Sequence, residues 1–272
     1  MSEADDLEEA ARVFNELRPR LFGIAYRMLS SASEAEDLVQ DVWLRWQTCD
    51  RSVVANPAAY LATATTRLAI NAAQSARVRR ETYVGPWLPE PVDTSADPLL
   101  GAERGEALEF AVLILLERLS PNERAAYVLR EAFDYPYSQI AEILQLSEPA
   151  VRQLVSRGRK RVTGERRTPV DEGEQRKLLS AFVSAARTGD LVALESLFAA
   201  DVSSYSDGGG IVRASKFPVH GVERVARYYK AFADRFWAGV DVEIATVTVV
   251  ASSEGIDRIY WQMNPTKLAG VG

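Results

Sequence analysis

The sequence has few residues that could form covalent cross-links or metal sites. Cys49 is its only cysteine and His220 its only histidine among 272 residues. A single thiol excludes an intramolecular disulfide and a zinc site built from cysteine ligands. We therefore expect this protein to hold no metal and no cofactor.

Long apolar runs are also missing. No stretch approaches the roughly 20 apolar residues needed to cross a bilayer. Residues 1–6 are acidic and lack the apolar core of a secretory signal. These absences predict a cytoplasmic protein with no membrane partner.

Positive charge is scarce outside two short segments. The net charge of the chain is −6, yet residues 51–80 and residues 147–168 each carry +5. A protein that binds phosphate groups needs local positive potential rather than overall basicity. The pattern fits two nucleic-acid-binding segments, but it also fits two solvated helix faces.

Most of the first 163 residues show the periodicity of amphipathic helices. Ser33 is the expected N-cap of the second helix. Pro57 suits the first turn of the third helix, because its missing N–H costs little there. The expected helices cover residues 7–30, 34–47, 57–80 and, with a break at Ser120, 105–130.

Two segments have the composition of linkers. Residues 81–103 contain four prolines and five acidic residues but no Lys or Arg. This composition predicts an extended linker rather than a packed element. A second linker is expected at residues 164–173. The expected domains are residues 1–80, 105–168 and 169–272, with the acidic linker at 81–104.

Residues 137–161 have the pattern of a helix-turn-helix. Ser138 and Ser147 are the expected caps, and Gln145 lies in the turn, where Gly would adopt a left-handed backbone more easily. Such a motif places the second helix on base edges in the major groove. An ordinary helical hairpin with a basic face shows the same pattern. The candidate DNA-binding residues are Ser147, Glu148, Arg152, Gln153, Ser156, Arg157, Arg159 and Lys160.

The helix from Pro57 to Arg80 carries the other basic segment. Tyr60, Arg67 and Asn71 recur on one side of it. Aromatic and basic side chains on one face suit single-stranded DNA, because aromatic rings stack on unpaired bases. A core helix whose basic last turn complements its dipole fits equally well. The residues alone favour the core helix.

The last third of the chain mixes helical and alternating patterns. Two helices are expected around Gly189 and another at residues 222–236. Short β-branched segments predict strands, and the combination predicts an α+β domain. The expected strands are residues 202–206, 211–214, 240–250 and 256–263.

The first half of the chain also resembles a known family. Residues 17–47, above all EAEDLVQDVWLRW, resemble region 2 of bacterial sigma factors. Residues 57–80 resemble the helix that recognises the −10 promoter element, and residues 120–161 resemble region 4, which reads the −35 element. Since regions 1.1 and 3 have no counterpart, the resemblance is to the extracytoplasmic-function (ECF) group. It implies a multidomain fold with a region 2 helical bundle and a region 4 helix-turn-helix, both all-α.

The resemblance implies promoter DNA and core RNA polymerase as partners. In that family, region 2 docks on the clamp helices of the β′ subunit, region 4 docks on the β flap, and the linker threads the channel later used by nascent RNA. By this resemblance, Asp37, Gln40 and Asp41 bind polymerase. The residues implied at the opened −10 strand are Asn56, Tyr60, Arg67, Asn71, Arg77, Arg79 and Arg80.

Three short motifs, WLPEP, DGGG and NPTKL, resemble a subgroup of ECF sigma factors with a fused C-terminal SnoaL-like (NTF2-like) α+β domain. The resemblance implies that this domain contacts the linker and modulates activity in cis, without a separate anti-sigma factor. Ile211 stands where the subgroup tends to have Lys, and Thr266 where it has Asp. The domain is short, so a shortened sheet is expected. The implied interdomain regulatory residues are Trp87, Leu88, Pro89, Glu90, Pro91, Asp207, Gly208, Gly209, Gly210, Asn264, Pro265, Lys267 and Leu268.

Trp87 is a large aromatic residue in an extended linker. Such a side chain needs somewhere to bury its ring. We expect that place to be the C-terminal domain.

Two other functions are compatible with parts of the sequence. A stand-alone helix-turn-helix regulator would sense a small ligand in the α+β domain and bind duplex DNA without polymerase, but the sigma-like segment 34–47 argues against it. An enzyme would need a positioned carboxylate or histidine in a dry pocket. Asp201, Asp207 and His220 each fit structural roles, so we expect no catalytic residue.

Overall fold

The computed structural model describes residues 3–92, 110–163, 170–236 and 246–269. The chain forms two compact units. The first comprises residues 1–81 and 92–164, and the second comprises residues 82–91 and 165–272. Residues 82–91, at the start of the expected acidic linker, therefore belong to the C-terminal unit.

The first unit begins with three helices, α1 (Glu3–Leu29), α2 (Ala32–Thr48) and α3 (Pro57–Glu81), with a 3₁₀ turn at Arg51–Val53. The expected helices at 34–47 and 57–80 are confirmed within two residues. The expected cap at Ser33 is wrong. Ser31 is the N-cap, because its extended backbone lets its side chain accept a hydrogen bond from the Glu34 amide.

Four shorter helices complete the first unit: α4 (Phe110–Leu116), α5 (Pro121–Glu131), α6 (Tyr137–Leu144) and α7 (Glu148–Thr163). Ser120 and Glu123 form a reciprocal capping box at the start of α5. The expected cap at Ser138 is wrong, because α6 begins one residue earlier at Tyr137 after Pro136. The Ser147 cap is confirmed, since its hydroxyl accepts from the Ala150 amide.

The turn between α6 and α7 contains the expected left-handed residue. Gln145 has φ +55° and ψ +45°. Its amide and that of Leu146 donate to carbonyls of the last turn of α6, which satisfies groups that a helix end leaves unpaired. The turn fixes where α7 begins relative to α6.

Buried apolar side chains from all seven helices form one core. A buried polar cluster also joins α1 and α3 to α5. Arg124 is 4% exposed and donates to the carbonyl of Arg27, the hydroxyl of Ser30 and the carboxylate of Glu117. Arg80 donates to the same carboxylate. Burial lowers the pKa of Arg124 to about 9, so the guanidinium keeps its charge at neutral pH.

The second unit is α+β. Its helices are α8 (Glu172–Thr188), α9 (Leu191–Leu197), α10 (Val222–Phe236) and α11 (Pro265–Leu268). Its strands are β1 (Phe198–Asp207), β2 (Val219–His220), β3 (Thr246–Ser252) and β4 (Gly255–Gln262). The described strands form one sheet in the order β2–β1–β4–β3, in which only the β1–β4 pair is parallel.

One expected strand is wrong. Residues 211–214 form turns and bends, because the amides of Ile211 and Val212 both donate to the Gly208 carbonyl. The edge of β1 pairs instead with β2. The expected strand at 240–250 begins at Thr246 among the described residues, and its first six positions lie outside them.

The core of the second unit lies between the helices and the sheet. Tyr229 of α10 is fully buried, stacks on Trp261 of β4 at 5.4 Å and donates to or accepts from the Ser204 hydroxyl. Phe182 of α8 packs edge-on against the same tyrosine at 4.9 Å. Burial raises the pKa of Tyr229, so its hydroxyl stays neutral.

Within the described ranges, no helix combines the length and the apolar character needed to cross a membrane. The same residues contain no cluster of three or more histidine, cysteine or acidic side chains that could bind a metal ion.

We predict that Gln145→Gly stabilises the first unit by up to about 1 kcal/mol, because Gly adopts the left-handed backbone without the steric cost of a Cβ. Thermal and urea unfolding would measure the change. Gln139→Gly, at an exposed position inside α6, is the matched control and should cost about 1 kcal/mol. A Gln145→Gly protein that unfolds more easily than wild type would contradict the prediction.

Candidate nucleic-acid interface and linker-binding site

Helix α7 presents a polar and basic face to solvent. Val151, Leu154 and Val155 are buried against the rest of the first unit. Opposite them, the predicted DNA-binding residues of α7 are exposed, except for the half-buried Glu148. Those exposed residues are Arg152, Gln153, Ser156, Arg157, Arg159 and Lys160, with Ser147 just before the helix.

Acidic residues of α5 restrain much of this basic face. Arg159 forms an ion pair with Glu131 at 2.8 Å, and Arg157 and Arg161 lie 3.5 and 2.5 Å from Glu123. Burial alone would raise the pKa of Glu123. The Ser120 hydrogen bonds and the two arginines nevertheless lower it overall, so the carboxylate is charged at neutral pH. The Arg159–Glu131 pair is exposed and therefore weak, and it can exchange for a phosphate contact, whereas the Glu123 side chain is only 7% exposed.

Arg152 has a different environment. Its guanidinium lies 4.2 Å from the ring centroid of Tyr137 and 3.3 Å from the carboxylate of Glu148. The guanidinium of Arg130 lies over the same ring at 5.0 Å. Tyr137 is the first residue of α6, so this contact joins the two helices of the helix-turn-helix.

The predicted −10 residues lie along α3, with Asn56 just before it, and they do not form one exposed surface. Asn71 and Arg77 are exposed, and Tyr60 is partly exposed beside Trp46 at 5.7 Å. The side chain of Asn56 accepts from the Ala59 amide and so begins α3. These four residues are open to a ligand.

The other three −10 residues already make contacts inside the first unit. Arg67 donates to the carbonyls of Ile143 and Glu142 at the end of α6, at 2.9 and 3.2 Å. Arg79 pairs with Glu34 at 2.6 Å, and Arg80 lies in the Glu117 cluster. Burial lowers the pKa of Arg80 to about 9. Their assignment to DNA stays a prediction.

The predicted polymerase-binding residues share the outer face of α2. Asp37, Gln40 and Asp41 are exposed, whereas Leu38 and Val39 beside them are buried. Their geometry provides an acidic surface on a rigid helix. No described contact occupies it, and their role also stays a prediction.

In the second unit, Asp207 at the end of β1 binds the segment 82–91. Its side chain has no solvent exposure. One carboxylate oxygen accepts from the Tyr83 hydroxyl at 2.6 Å and the other from the Leu88 amide at 2.9 Å. Burial, followed by the hydrogen bond to Asp207, raises the pKa of Tyr83, so its hydroxyl remains a donor.

Lys267 of α11 neutralises this carboxylate. Its ammonium lies 2.7 Å from Asp207 and also donates to the Leu88 carbonyl at 2.6 Å. It lies over the rings of Trp87 and Tyr83 at 4.2 and 4.8 Å. The lysine therefore binds the linker through charge, a carbonyl and two aromatic faces.

The strand and turn beside α11 complete the linker-binding site. The side-chain amide of Gln262 donates to the Pro89 carbonyl at 3.1 Å, and the side-chain amide of Asn264 donates to the Tyr83 hydroxyl at 2.9 Å. Asn264 also caps α11, accepting from Thr266. The backbone amide and the hydroxyl of Thr266 thus both donate to the capping side chain of Asn264.

Gly209 is required by this packing. Its φ is +62°, and a Cβ there would lie 2.4 Å from the Asn264 side chain. Its amide donates to Asp207 at 3.0 Å. The turn therefore brings the DGGG and NPTKL motifs together. Ile211, which stands where the subgroup tends to have Lys, is exposed.

The linker expectation needs two corrections. Residues 82–91 are packed rather than free, because Leu88 is 2% exposed and its amide and carbonyl are both bonded to the C-terminal unit. Trp87 is only partly buried, and Leu88 is the side chain that the unit encloses. Residues 93–104 of the linker lie outside the described residues.

The remaining motif residues have simpler positions. Pro89 is buried and Glu90 and Pro91 are half-buried. Gly208 closes the turn after β1, Gly210 continues it, and Pro265 and Leu268 belong to α11. The candidate acid–base residues Asp201 and His220 are exposed, and His220 forms a hydrogen bond with Ser203.

Comparison with known proteins identifies the family. Residues 13–79 match the model described as sigma-70 region 2, and residues 110–162 match sigma-70, region 4. The ECF RNA polymerase sigma factor SigJ of Mycobacterium tuberculosis is 38% identical over 232 residues, covering 84% of this chain and 74% of that protein. The chain belongs to the ECF RNA polymerase sigma factors.

Other relatives of this ECF sigma factor agree. A probable ECF RNA polymerase sigma factor, SigI of M. tuberculosis, is 32% identical over 195 residues, covering 70% of this chain and 66% of that protein. The crystal structure of M. tuberculosis SigJ matches with a TM-score of 0.77 and 31% identity, covering 96% of this chain and 98% of that one. The predicted fold class is confirmed: two all-α sigma regions and an α+β domain with a small sheet, consistent with a SnoaL-like domain.

Three residues of these sites were missed by sequence reasoning. Tyr83 and Gln262 bind at the linker site, and Tyr137 contacts Arg152. Tyr83 lies only four positions before WLPEP and Gln262 two before NPTKL, so proximity to a motif was the available signal. Nothing in the spacing of Tyr137 pointed to Arg152.

We predict that Asp207→Asn frees the linker. Hydrogen bonds to a charged acceptor contribute about 1.5–3 kcal/mol, so hydrogen exchange at the Leu88 amide should accelerate roughly ten- to a hundredfold. Asp201→Asn, at an exposed position of the same strand, should leave that exchange rate unchanged. Equal protection of the Leu88 amide in wild type and Asp207→Asn would show that this carboxylate does not retain the linker.

Proposed function

We propose that this protein binds core RNA polymerase and directs initiation at promoters with defined −10 and −35 elements. The observation that carries the proposal is a sigma region 4 helix-turn-helix whose second helix exposes a basic face, in one chain with sigma region 2. Region 2 offers the exposed acidic face of α2 to the polymerase β′ clamp helices, and region 4 binds near the β flap. The two reading surfaces are the predicted −10 residues of α3 and the basic face of α7, and polymerase fixes the spacing between them. We place this activity in the cytoplasm.

The first unit must open before it can bind a promoter. The −10 and −35 elements are separate sites on the promoter, and each intervening base pair adds about 3.4 Å between them. In the structure, Arg67 of α3 bonds directly to the end of α6. The two reading surfaces are therefore far too close for both elements. Core polymerase supplies the binding free energy that separates them.

We further propose that the C-terminal unit restrains the sigma factor in cis, in place of a separate anti-sigma factor. The linker implied to pass through the RNA channel of polymerase is bound by Asp207, Gln262 and Lys267. A segment with its backbone bonded there cannot also follow that channel. Its release is then coupled to polymerase binding.

We predict that run-off transcription by core polymerase requires this protein and that Leu88→Ser raises the yield. A polar side chain at this buried position weakens the packing of the linker on the C-terminal unit. Val84→Ser, at an exposed position of the same segment, is the matched control. An unchanged or lower yield with Leu88→Ser would contradict the restraint, and no initiation with any variant would contradict the sigma function.

Without polymerase, we predict weak binding of the full chain to promoter duplex, with little preference over a scrambled sequence. The contacts between α3 and α6 keep the reading surfaces together, and only phosphate attraction remains. Gel shifts at several salt concentrations would measure this. Tight, salt-tolerant and sequence-specific binding by the free protein would favour a stand-alone helix-turn-helix regulator instead.

A further inference from the structure

Arg152 is a predicted DNA-binding residue of α7 whose guanidinium lies over an aromatic ring of another helix. It is the fifth residue of α7, in the part of a recognition helix that contacts base edges. Its guanidinium lies over the ring of Tyr137 at 4.2 Å, although the side chain is 59% exposed. Tyr137 is partly buried and packs against the core of the first unit. The ring is therefore a fixed support under a side chain that otherwise pairs only with Glu148 of its own helix.

An exposed arginine has many rotamers, and ordering it in one of them costs conformational entropy. Reading a base with a guanidinium requires its planar fork to lie in the groove at one angle. A residue that restricts the rotamers beforehand lowers the cost of recognition. Glu148 restricts them only weakly, since this exposed pair at 3.3 Å is screened by salt. The aromatic face remains as the main restraint.

We propose that Tyr137 is a positioning residue for −35 recognition and orients Arg152 toward one base pair of the element. The inference rests on the proposed sigma function and adds the origin of part of its specificity. Since arginine most often binds the O6 and N7 atoms of guanine in the major groove, the base pair is a G·C pair. Tyr137 itself touches no base.

A double-mutant cycle in holoenzyme tests this with the full chain. Wild type, Tyr137→Leu, Arg152→Ala and the double variant each initiate from a library with randomised −35 elements. The measurement is the ratio of initiation with G·C to initiation with other pairs at each position. A ratio within one protein does not depend on how much of that protein is folded and active.

We expect Arg152→Ala to abolish a preference for G·C at one position. Tyr137→Leu should reduce the preference at that same position by about two- to fivefold, the usual size of a cation–π contact near the surface. Tyr137→Phe keeps the aromatic face and should retain the wild-type preference. The double variant should equal Arg152→Ala, because the ring acts only through the arginine.

Three results would overturn the inference. They are an unchanged preference in Tyr137→Leu, a loss spread evenly over all positions, or a double variant that loses the sum of both effects. In each case, polymerase-dependent initiation by wild type would leave the sigma function standing. Absence of any polymerase-dependent initiation would remove the sigma function itself, so the two failures are distinguishable.

Discussion

The carboxylate of Asp207 cannot be buried without partners, because an unpaired charge removed from water costs several kcal/mol. Its partners come from separate parts of the chain: the linker at Tyr83 and Leu88, the turn at Gly209 and the last helix at Lys267. Satisfying this one charge therefore closes the C-terminal unit around the linker. The arrangement makes linker binding part of the fold of that unit.

Arg124 imposes a similar constraint on the first unit. Its guanidinium is buried, and it bonds to α1, to Ser30 after α1 and to Glu117 before α5. Removing one member of such a cluster leaves a buried charge without compensation. The two sigma regions are consequently held together by a buried polar cluster as well as by a shared apolar core. The opening that we propose must therefore supply new partners to these buried charges.

The basic face of α7 shows how the same residues can be held in the free protein and used on DNA. Exposed arginine–glutamate pairs contribute little, so a phosphate can replace Glu131 at Arg159 with little loss. Arg152 is different, because an aromatic ring supports its guanidinium in addition to the carboxylate of Glu148. A ring remains compatible with the arginine after DNA binds, whereas a carboxylate competes with the phosphates. The arginines that we propose to contact phosphates and the arginine that we propose to contact a base thus have different supports.

The sequence by itself determined the helices at 34–47 and 57–80, the helix-turn-helix with its left-handed turn at Gln145, and the membership of the sigma family. These features are local, because periodicity, caps and motif spacing depend on residues that are close in the sequence. They can therefore be inferred from the sequence alone. Some errors were local choices that neighbouring residues decide, such as Ser31 over Ser33 as a cap and the loss of the strand at 211–214 to a turn closed on Gly208.

Only the tertiary structure decided that Leu88 rather than Trp87 is enclosed. The same holds for the bonds from Tyr83 and Lys267 to Asp207 and for the bond from Arg67 to the end of α6. These bonds of Asp207 and Arg67 join residues 60 to 124 positions apart. No periodicity or spacing encodes such a pair, because it depends on how whole elements pack. The motifs could show that the linker and the last domain belong together, but the buried charge that joins them is a property of the folded chain.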